Sequence, residues 1–246
     1  MNKLIQVRSL EKKYGQLLAL KKVNLDLFAG EIVSLLGVNG AGKTTLSSVI
    51  ATIHPPSAGD ILFNGASIFH DIPAYRMHIG YCAQKNNLNP LLTNKENMVN
   101  AGRYYGMDSA AIATRIDYLD SRLGIGQFLY QSPDSLSGGW KQRYMIARTL
   151  MHAPQFIILD EPTVALDPDV RHLLWQYIKD IRADGVTVLL TTHYLDEAEI
   201  LSDRVCVLHQ GEIKMIDTPQ NLIKNFQKGK LEEVFLHLTR EFEGKK

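Results

Sequence analysis

The chain has 246 residues, of which 45% are apolar and 22% charged, so it can bury a sizeable core and has the composition of a soluble globular protein. Its net charge of +1 gives no reason to expect nucleic-acid binding. Cys82 and Cys206 are far apart in sequence and predict two small core residues in a reducing compartment. Because the apolar runs are too short for a signal peptide or a membrane span, we expect a soluble protein that reaches a membrane only through a partner.

The first part of the chain has the patterns of strands, with one helix among them. A loop and a predicted helix over residues 44–53 separate the third strand from the fourth, and a turn rich in Pro, Ser and Gly precedes the fourth strand. The predicted strands cover residues 5–14, 18–28, 31–38 and 61–65.

The middle of the chain, from about Asn86 to His152, is predicted to be helical, and the alternation of strands and helices then returns. Asp167 is predicted to cap a helix that has Pro168 in its first turn and ends near Gly185. The later predicted strands are residues 156–160 and 186–193 and a hairpin over 205–217 that turns at Gln210 and Gly211. This order indicates an α/β core with a largely parallel sheet and a helical insertion.

The string GVNGAGKTT follows an apolar strand and opens a helix, which is the context that a P-loop requires. Its glycines let backbone N–H groups approach phosphate oxygens, and the helix N-terminus adds partial positive charge. Lys43 is predicted to reach the β- and γ-phosphates and Thr44 to ligate Mg²⁺. A plain glycine-rich turn is the alternative. The predicted nucleotide contacts are Gly37, Val38, Asn39, Gly40, Ala41, Gly42, Lys43, Thr44 and Thr45.

Two acidic residues, Asp160 and Glu161, end the buried strand FIILD, where α/β sheets place their ligand sites. Asp160 is predicted to coordinate Mg²⁺ through water, and Glu161 is the candidate general base for the water that attacks the γ-phosphate. The alternative is a solvated acidic turn, which the upstream P-loop disfavours.

A third motif, LSGGW, starts at Leu136 and places a serine and two glycines directly before a predicted helix. With the P-loop, Gln84 in YCAQ, FIILDEP, the ALD of Ala165 to Asp167 and His193 in TTHYLDEAE, it resembles the nucleotide-binding subunit of an ABC transporter. The motifs occur in the family's order and cover nearly the whole chain.

The resemblance implies an ATPase that uses ATP and Mg²⁺ and works as a head-to-tail dimer. Ser137, Gly138 and Gly139 of one subunit would contact the nucleotide held by the P-loop of the other, with Asp167 at the dimer seam. His193 would act catalytically on the γ-phosphate and the attacking water, although a lone histidine after a strand is more often structural.

By the same resemblance, Gln84 would sense Mg²⁺ or water and pass that information to the helical insertion, and Tyr14 would stack on adenine. An ordinary edge-strand tyrosine is the alternative for Tyr14. Trp140 stands where the family usually has glutamine. We expect it to be tolerated, to begin the helix and to pack on the nucleotide sugar or on the opposite subunit.

The resemblance also implies a fold: an α/β P-loop NTPase core with an N-terminal antiparallel β-subdomain and an inserted α-helical subdomain, all in a single ABC ATPase domain over residues 1–246. The expected boundaries are a RecA-like core with the β-subdomain at about 1–84 and 153–220, a helical insertion at about 85–152, and a C-terminal helical tail at 221–246.

Function is expected to depend on partners: a second copy or a paralogous ATPase subunit, and polytopic membrane permease subunits at the cytoplasmic face of the inner or plasma membrane. The segments THYLDEAE and LEEVFLHLT resemble the ABC-2-type exporter group, which implies export of a drug, lipid, polysaccharide or ion. The alternatives are a soluble ABC-type ATPase, an importer ATPase and a module that binds ATP without turnover. Leu88, Leu91, Leu92 and Met98 are candidates for lining a partner groove or for core packing.

Overall fold

The structure is a computed structural model that describes residues 2–243. Residue 1 and residues 244–246 of the predicted tail lie outside the described residues. In chain order, the strands are β1 (Lys3–Tyr14), β2 (Leu17–Phe28), β3 (Ile32–Leu36), β4 (Ala58–Phe63), β5 (Ala66–Ser67), β6 (Ile79–Cys82), β7 (Phe156–Asp160), β8 (Thr187–Thr192), β9 (Arg204–His209) and β10 (Glu212–Asp217).

The α-helices show capping signals at several ends. Thr93 forms a capping box with Glu96, and Gly124 ends a helix in the left-handed conformation. The helices are α1 (Lys43–Ile50), α2 (Ile72–Arg76), α3 (Asn94–Tyr104), α4 (Ser109–Leu123), α5 (Gly138–Thr149), α6 (Pro168–Ala183), α7 (Leu195–Leu201), α8 (Pro219–Asn225) and α9 (Leu231–Glu243).

The first sheet is antiparallel and has the order β2-β1-β4-β5. Its inner residues alternate with exposed ones along β1 and β2, as expected of strands with one face on the core. The predicted N-terminal antiparallel β-subdomain is confirmed.

The second sheet has the order β10-β9-β3-β8-β7-β6, and all its neighbours are parallel except β10 against β9. Every residue of β3, β7 and β8 is buried, as expected of strands covered on both faces. The predicted hairpin is also confirmed: Gln210 and Gly211 join β9 to β10 with φ values of 48° and 79°, as a tight hairpin turn requires.

The helical segment between β6 and β7 packs around an apolar core that it shares with α6 and with one face of the parallel sheet. Met98 and Tyr144 are fully buried in that core, and Leu88 is nearly so. Leu91, in contrast, is 90% exposed. The four leucine and methionine candidates therefore divide: Leu88 and Met98 serve core packing, whereas Leu91 lies on the surface and Leu92 is half-buried.

The sheet topology brings three chain segments to one edge. The carboxyl ends of β3, β7 and β8 are neighbours in the parallel sheet, and they lead into the P-loop, the Asp160–Glu161 pair and His193. In α/β folds this edge is where ligands bind.

Candidate nucleotide site

The P-loop runs from the end of β3 into α1 with glycines where a side chain would not fit. Gly42 precedes α1 with a φ of 108°, which favours glycine. A Cβ on Gly37 would lie 2.4 Å from the carbonyl oxygen of Leu208 on β9. The loop is therefore closely packed against a neighbouring strand.

Lys43, the first residue of α1, folds back over the loop. Its Nζ donates a hydrogen bond of 2.7 Å to the carbonyl oxygen of Gly37 and lies 4.0 Å from Oε1 of Glu161. Burial lowers the pKa of Lys43, while Glu161 and Asp160 act in the opposite direction. The buried ammonium group thus lies where negatively charged phosphate oxygens would stabilise its positive charge.

Asp160 is only 2% exposed and is held by three hydroxyl groups. Thr191 Oγ1 donates to it at 2.5 Å, Tyr81 OH at 3.2 Å and Thr44 Oγ1 at 3.4 Å. Burial, followed by the nearby Asp160, raises the pKa of Tyr81, which keeps its hydroxyl a donor. Two carboxylate oxygens with three fixed donors give Asp160 one orientation, toward the first turn of α1.

Glu161 has a φ of 50°, an uncommon conformation for a residue with a side chain. Its N–H donates to both the carbonyl oxygen and Oγ1 of Thr191, at 3.1 and 3.0 Å. Its Oε2 lies 2.8 Å from Nδ1 of His193. Strained backbone of this kind persists only where the surroundings fix it, and it is typical of functional sites.

These side chains surround an open cavity of about 760 Å³, a size that suits a nucleotide. Tyr14, at the end of β1, is 44% exposed, and the Nζ of Lys12 lies 5.0 Å from its ring centre. Of the residues predicted from sequence, the cavity brings together Tyr14, Asn39, Gly40, Ala41, Gly42, Lys43, Thr44, Thr45, Gln84, Glu161 and His193. Gly37 and Val38 belong to the same loop, and Asp160 lies buried beneath it.

The remaining predicted residues lie elsewhere. Ser137, Gly138 and Gly139 form the start of α5, outside this cavity, and Ser137 is exposed with no side-chain capping bond. Asp167 is also exposed. It occupies the N-cap position of α6, but its side chain makes no capping hydrogen bond. The predicted helix start, with Asp167 at the N-cap and Pro168 in the first turn, is confirmed, and only the side-chain capping bond is absent.

Trp140 packs within its own subdomain. Its ring meets Phe128 edge to face at a centroid distance of 4.6 Å, and the guanidinium carbon of Arg143 lies 3.9 Å from the ring centre. The first turn of α5 directs one part of the ring toward the apolar core. Because the ring is only half-buried, its packing on the nucleotide sugar or on the opposite subunit stays a prediction.

Sequence reasoning missed the contacts that connect the segment after Gln84 to α5. Gln84 is exposed and is the second residue after β6. Three residues later, Asn87 accepts a 2.8 Å hydrogen bond from Arg148 on α5 through its backbone carbonyl, and the Arg148 guanidinium also contacts the Asn87 side chain. Thr191, Tyr81 and several cavity-lining residues, namely Leu17, Leu18, Ala19, Lys21, Val164, Gln210 and Gly211, were also not predicted.

The fold and this site define an ATP-binding cassette. Residues 20–164 match the family described as "ABC transporter", and the chain belongs to that family. Within the described residues 2–243, no helix has both the length and the apolar character needed to cross a membrane.

Individual relatives agree with this assignment. Nod factor export ATP-binding protein I of Cupriavidus metallidurans is 36% identical over 223 residues, covering 91% of this chain and 74% of that protein. The protein of the same name from Rhizobium johnstonii is 39% identical over 220 residues, covering 89% and 71%.

Solved structures give the same answer. The ATP-binding subunit of an ABC transporter superposes with a TM-score of 0.86 at 32% identity, covering 96% of this chain and 99% of that one. A dimeric ATP-binding cassette in a post-hydrolysis state with ADP and Pi gives a TM-score of 0.78 at 30% identity, covering 87% and 98%. The chain is thus an ATP-binding subunit and an ATPase of the ABC type.

Proposed function

We propose that two copies of this chain, or one copy and a paralogous subunit, close around two ATP molecules to power export. One observation carries the proposal. The P-loop, Glu161 and His193 share one cavity, while Ser137 and its two glycines lie outside it on an exposed turn. A serine hydroxyl, glycine N–H groups and a helix N-terminus together can face an anion. In a dimer, the Ser137–Gly139 turn of one subunit can complete the cavity of the other. The dimeric cassette among the structural relatives supports this arrangement.

In this proposal each side chain has a distinct part in hydrolysis. The adenine of ATP stacks on Tyr14, and Lys43 contacts the phosphates. Glu161 takes a proton from water as the water oxygen attacks the γ-phosphorus and ADP leaves. His193, bonded to Glu161, orients that carboxylate and faces the γ-phosphate. Asp167 lies at the seam between subunits.

Mg²⁺ suits the donors present. Among residues 2–243, the structure has no cluster of three or more His, Cys, Asp and Glu side chains arranged to hold a metal. Mg²⁺ on a nucleotide needs few carboxylates, because phosphate oxygens and water complete its shell. Thr44, Gln84 and Asp160 are the proposed protein ligands, and the Thr44 hydroxyl already lies 3.4 Å from Asp160. When bound, the ion would offset the negative charge of the phosphates.

Export through separate membrane permease subunits is the proposed role of the ATPase. The relatives named for Nod factor export support the direction of transport. We propose a single ABC ATPase domain with a helical insertion at about 85–152, a core at about 1–84 and 153–220, and a tail from 221 onward. The insertion would contact the permease at the cytoplasmic face of the membrane. The exposed Leu91 and Tyr104, which are 90% and 79% accessible, support a contact surface there.

The experiment is light scattering on purified Glu161→Gln protein with and without Mg-ATP. A shift from monomer to dimer that Lys43→Ala abolishes would support the composite site. A persistent monomer that still binds ATP would contradict closure by this chain alone and would point to a paralogous partner. Co-purification with a polytopic membrane protein tests the transporter role, because a soluble ABC ATPase would not co-purify with a membrane protein.

A further inference from the structure

Arg143 lies between two aromatic rings that belong to different helices. Its guanidinium carbon is 3.9 Å from the ring centre of Trp140 and 5.0 Å from that of Tyr177. Trp140 and Arg143 belong to α5, whereas Tyr177 belongs to α6. The ring of Trp140 also meets Phe128, which precedes α5, edge to face. We call Phe128, Trp140, Arg143 and Tyr177 the arginine stack.

The cation in this stack is held by rings and not by a carboxylate. All four side chains are half-buried, and within residues 2–243 no ion pair to Arg143 is present. Burial lowers the pKa of Arg143, although a guanidinium remains charged at any physiological pH. Partly desolvated cation–π contacts of this kind contribute about 1–2 kcal/mol. The stack is therefore a directional attachment of α5 to α6.

The position of the stack relates it to the proposed composite site. Helix α5 starts immediately after Ser137, and Trp140 lies in its first turn. Helix α6 starts at Pro168, in the segment that follows Glu161. The two helix starts also touch, because a Cβ on Gly139 would fall 2.4 Å from Cγ1 of Val170. Two separate contacts along α5 fix its direction relative to α6, whereas one contact would leave it free to pivot.

We propose that Trp140, Arg143 and Tyr177 are positioning residues that set the orientation of the Ser137–Gly139 turn for its contact with a second subunit. The inference rests on the proposed ATP-driven dimer. None of the three lines the P-loop cavity, so they act on the partner's nucleotide only through the serine and glycines that they position. Trp140 is then required for closure and is not merely tolerated.

The test uses the Glu161→Gln protein, in which the proposed function expects the closed state to accumulate. Trp140→Gln and Tyr177→Ala each remove one ring from the stack, and Trp140→Phe and Tyr177→Phe keep a ring in place. Leu236→Ala, which removes an exposed apolar side chain on α9, is the control. The readouts are the dimer Kd in Mg-ATP and the ATP affinity of the monomer, measured at protein concentrations below the dimer Kd.

The two ring-removing variants are expected to raise the dimer Kd by roughly fivefold or more, from the size of one cation–π contact. The two phenylalanine variants recover most of the affinity, and the control changes nothing. ATP affinity of the monomer stays at its parent value, because the P-loop is not altered. An unchanged or tighter dimer in Trp140→Gln would overturn the proposal.

A second measurement tests the contacts within the arginine stack independently of dimer formation. A double-mutant cycle on urea unfolding of the monomer compares Trp140→Gln, Tyr177→Ala and the pair. Since both rings act on Arg143, their effects are expected to be non-additive. Additive effects would show that Trp140 and Tyr177 are not coupled through Arg143. If Glu161→Gln forms no dimer although the cycle shows coupling, the proposed dimer fails and so does the positioning role, while the stack remains as a packing feature.

Discussion

Nδ1 of His193 lies 2.8 Å from Oε2 of Glu161, so the histidine after β8 and the glutamate after β7 form one hydrogen-bonded pair. Because a carboxylate only accepts, Nδ1 carries the hydrogen. The Glu161 side chain is 11% exposed and the His193 side chain 43%. Both side chains line the cavity, and the carboxylate is the more buried of the two.

Replacing His193 should therefore affect turnover more than binding. His193→Ala is expected to lower the ATPase rate about 100-fold or more, since preorganised contacts to a developing charge have effects of that size. ATP affinity should change little, because the P-loop supplies it. Steady-state phosphate release and equilibrium ATP binding measure the two effects, with His237→Ala on α9 as an exposed control. Full activity in His193→Ala would rule out a catalytic role for the pair.

Replacing Lys43, in contrast to His193, should weaken ATP binding itself. Its ammonium group is buried over the P-loop and bonded to the Gly37 carbonyl. Lys43→Ala removes the charged donor for the phosphates, and such hydrogen bonds contribute about 1.5–3 kcal/mol. ATP affinity is expected to fall tenfold or more. Titration calorimetry checks this, with the exposed Lys179 on α6 replaced by alanine as the control. Unchanged affinity would contradict the P-loop assignment.

The sequence was most informative where chemistry and local structure coincide. The P-loop needs a strand, glycines and a helix start in immediate succession, and the Asp160–Glu161 pair directly follows the four apolar residues of β7. Such signals lie within a few residues of one another and survive without tertiary information. His193 was found through its motif, and the sheet order then placed it beside Glu161.

What the sequence did not predict depends on contacts between distant segments. Thr191 meets Asp160 because β7 and β8 pair in that register. The four-residue strand β6 is too short to show a pattern, so its position at the sheet edge was missed. The packing of Trp140 against Phe128 likewise follows from how α5 lies on the preceding loop, which no local pattern specifies.

Gly139 provides a stability test of the contact between α5 and α6. A Cβ there would fall 2.4 Å from Cγ1 of Val170, a short branched side chain with little room to move. Gly139→Ala is expected to destabilise the fold by about 1–3 kcal/mol, as overpacking does. Gly138→Ala is the matched control, because its Cβ would meet only Leu166 Cδ2 at an ordinary 3.7 Å.

The same contact predicts a rescue. Val170→Ala removes the opposing methyl groups, so the pair Gly139→Ala with Val170→Ala should recover most of the loss. Urea unfolding at fixed pH compares the wild type with the three single variants and with the pair. Equal stability of the two single alanine variants at 138 and 139 would show that the helix starts do not touch in this way.

His152 gives the fold a pH dependence of known sign. Its ring stacks on Tyr105 at a centroid distance of 3.6 Å, and Nε2 lies 2.8 Å from the carbonyl oxygen of Ile79. Burial, followed by the nearby Arg115 and His78, lowers the pKa of His152 to about 4, while the Ile79 contact acts in the other direction. An unfolded histidine takes up its proton at about pH 6.5.

The unfolded chain therefore binds a proton in a range where the folded chain does not. Stability from this group is complete above about pH 6.5 and declines as the pH falls toward 4. The full shift would correspond to about 3 kcal/mol, and partial exposure of the ring reduces the expected loss to about 2 kcal/mol. His152→Phe keeps a ring on Tyr105 without a titrating group. Above pH 7, the difference in unfolding free energy between His152→Phe and the wild type should be constant. Below pH 6.5, this difference should change steadily in favour of His152→Phe. Parallel profiles through pH 4.5 would show that His152 titrates alike in both states.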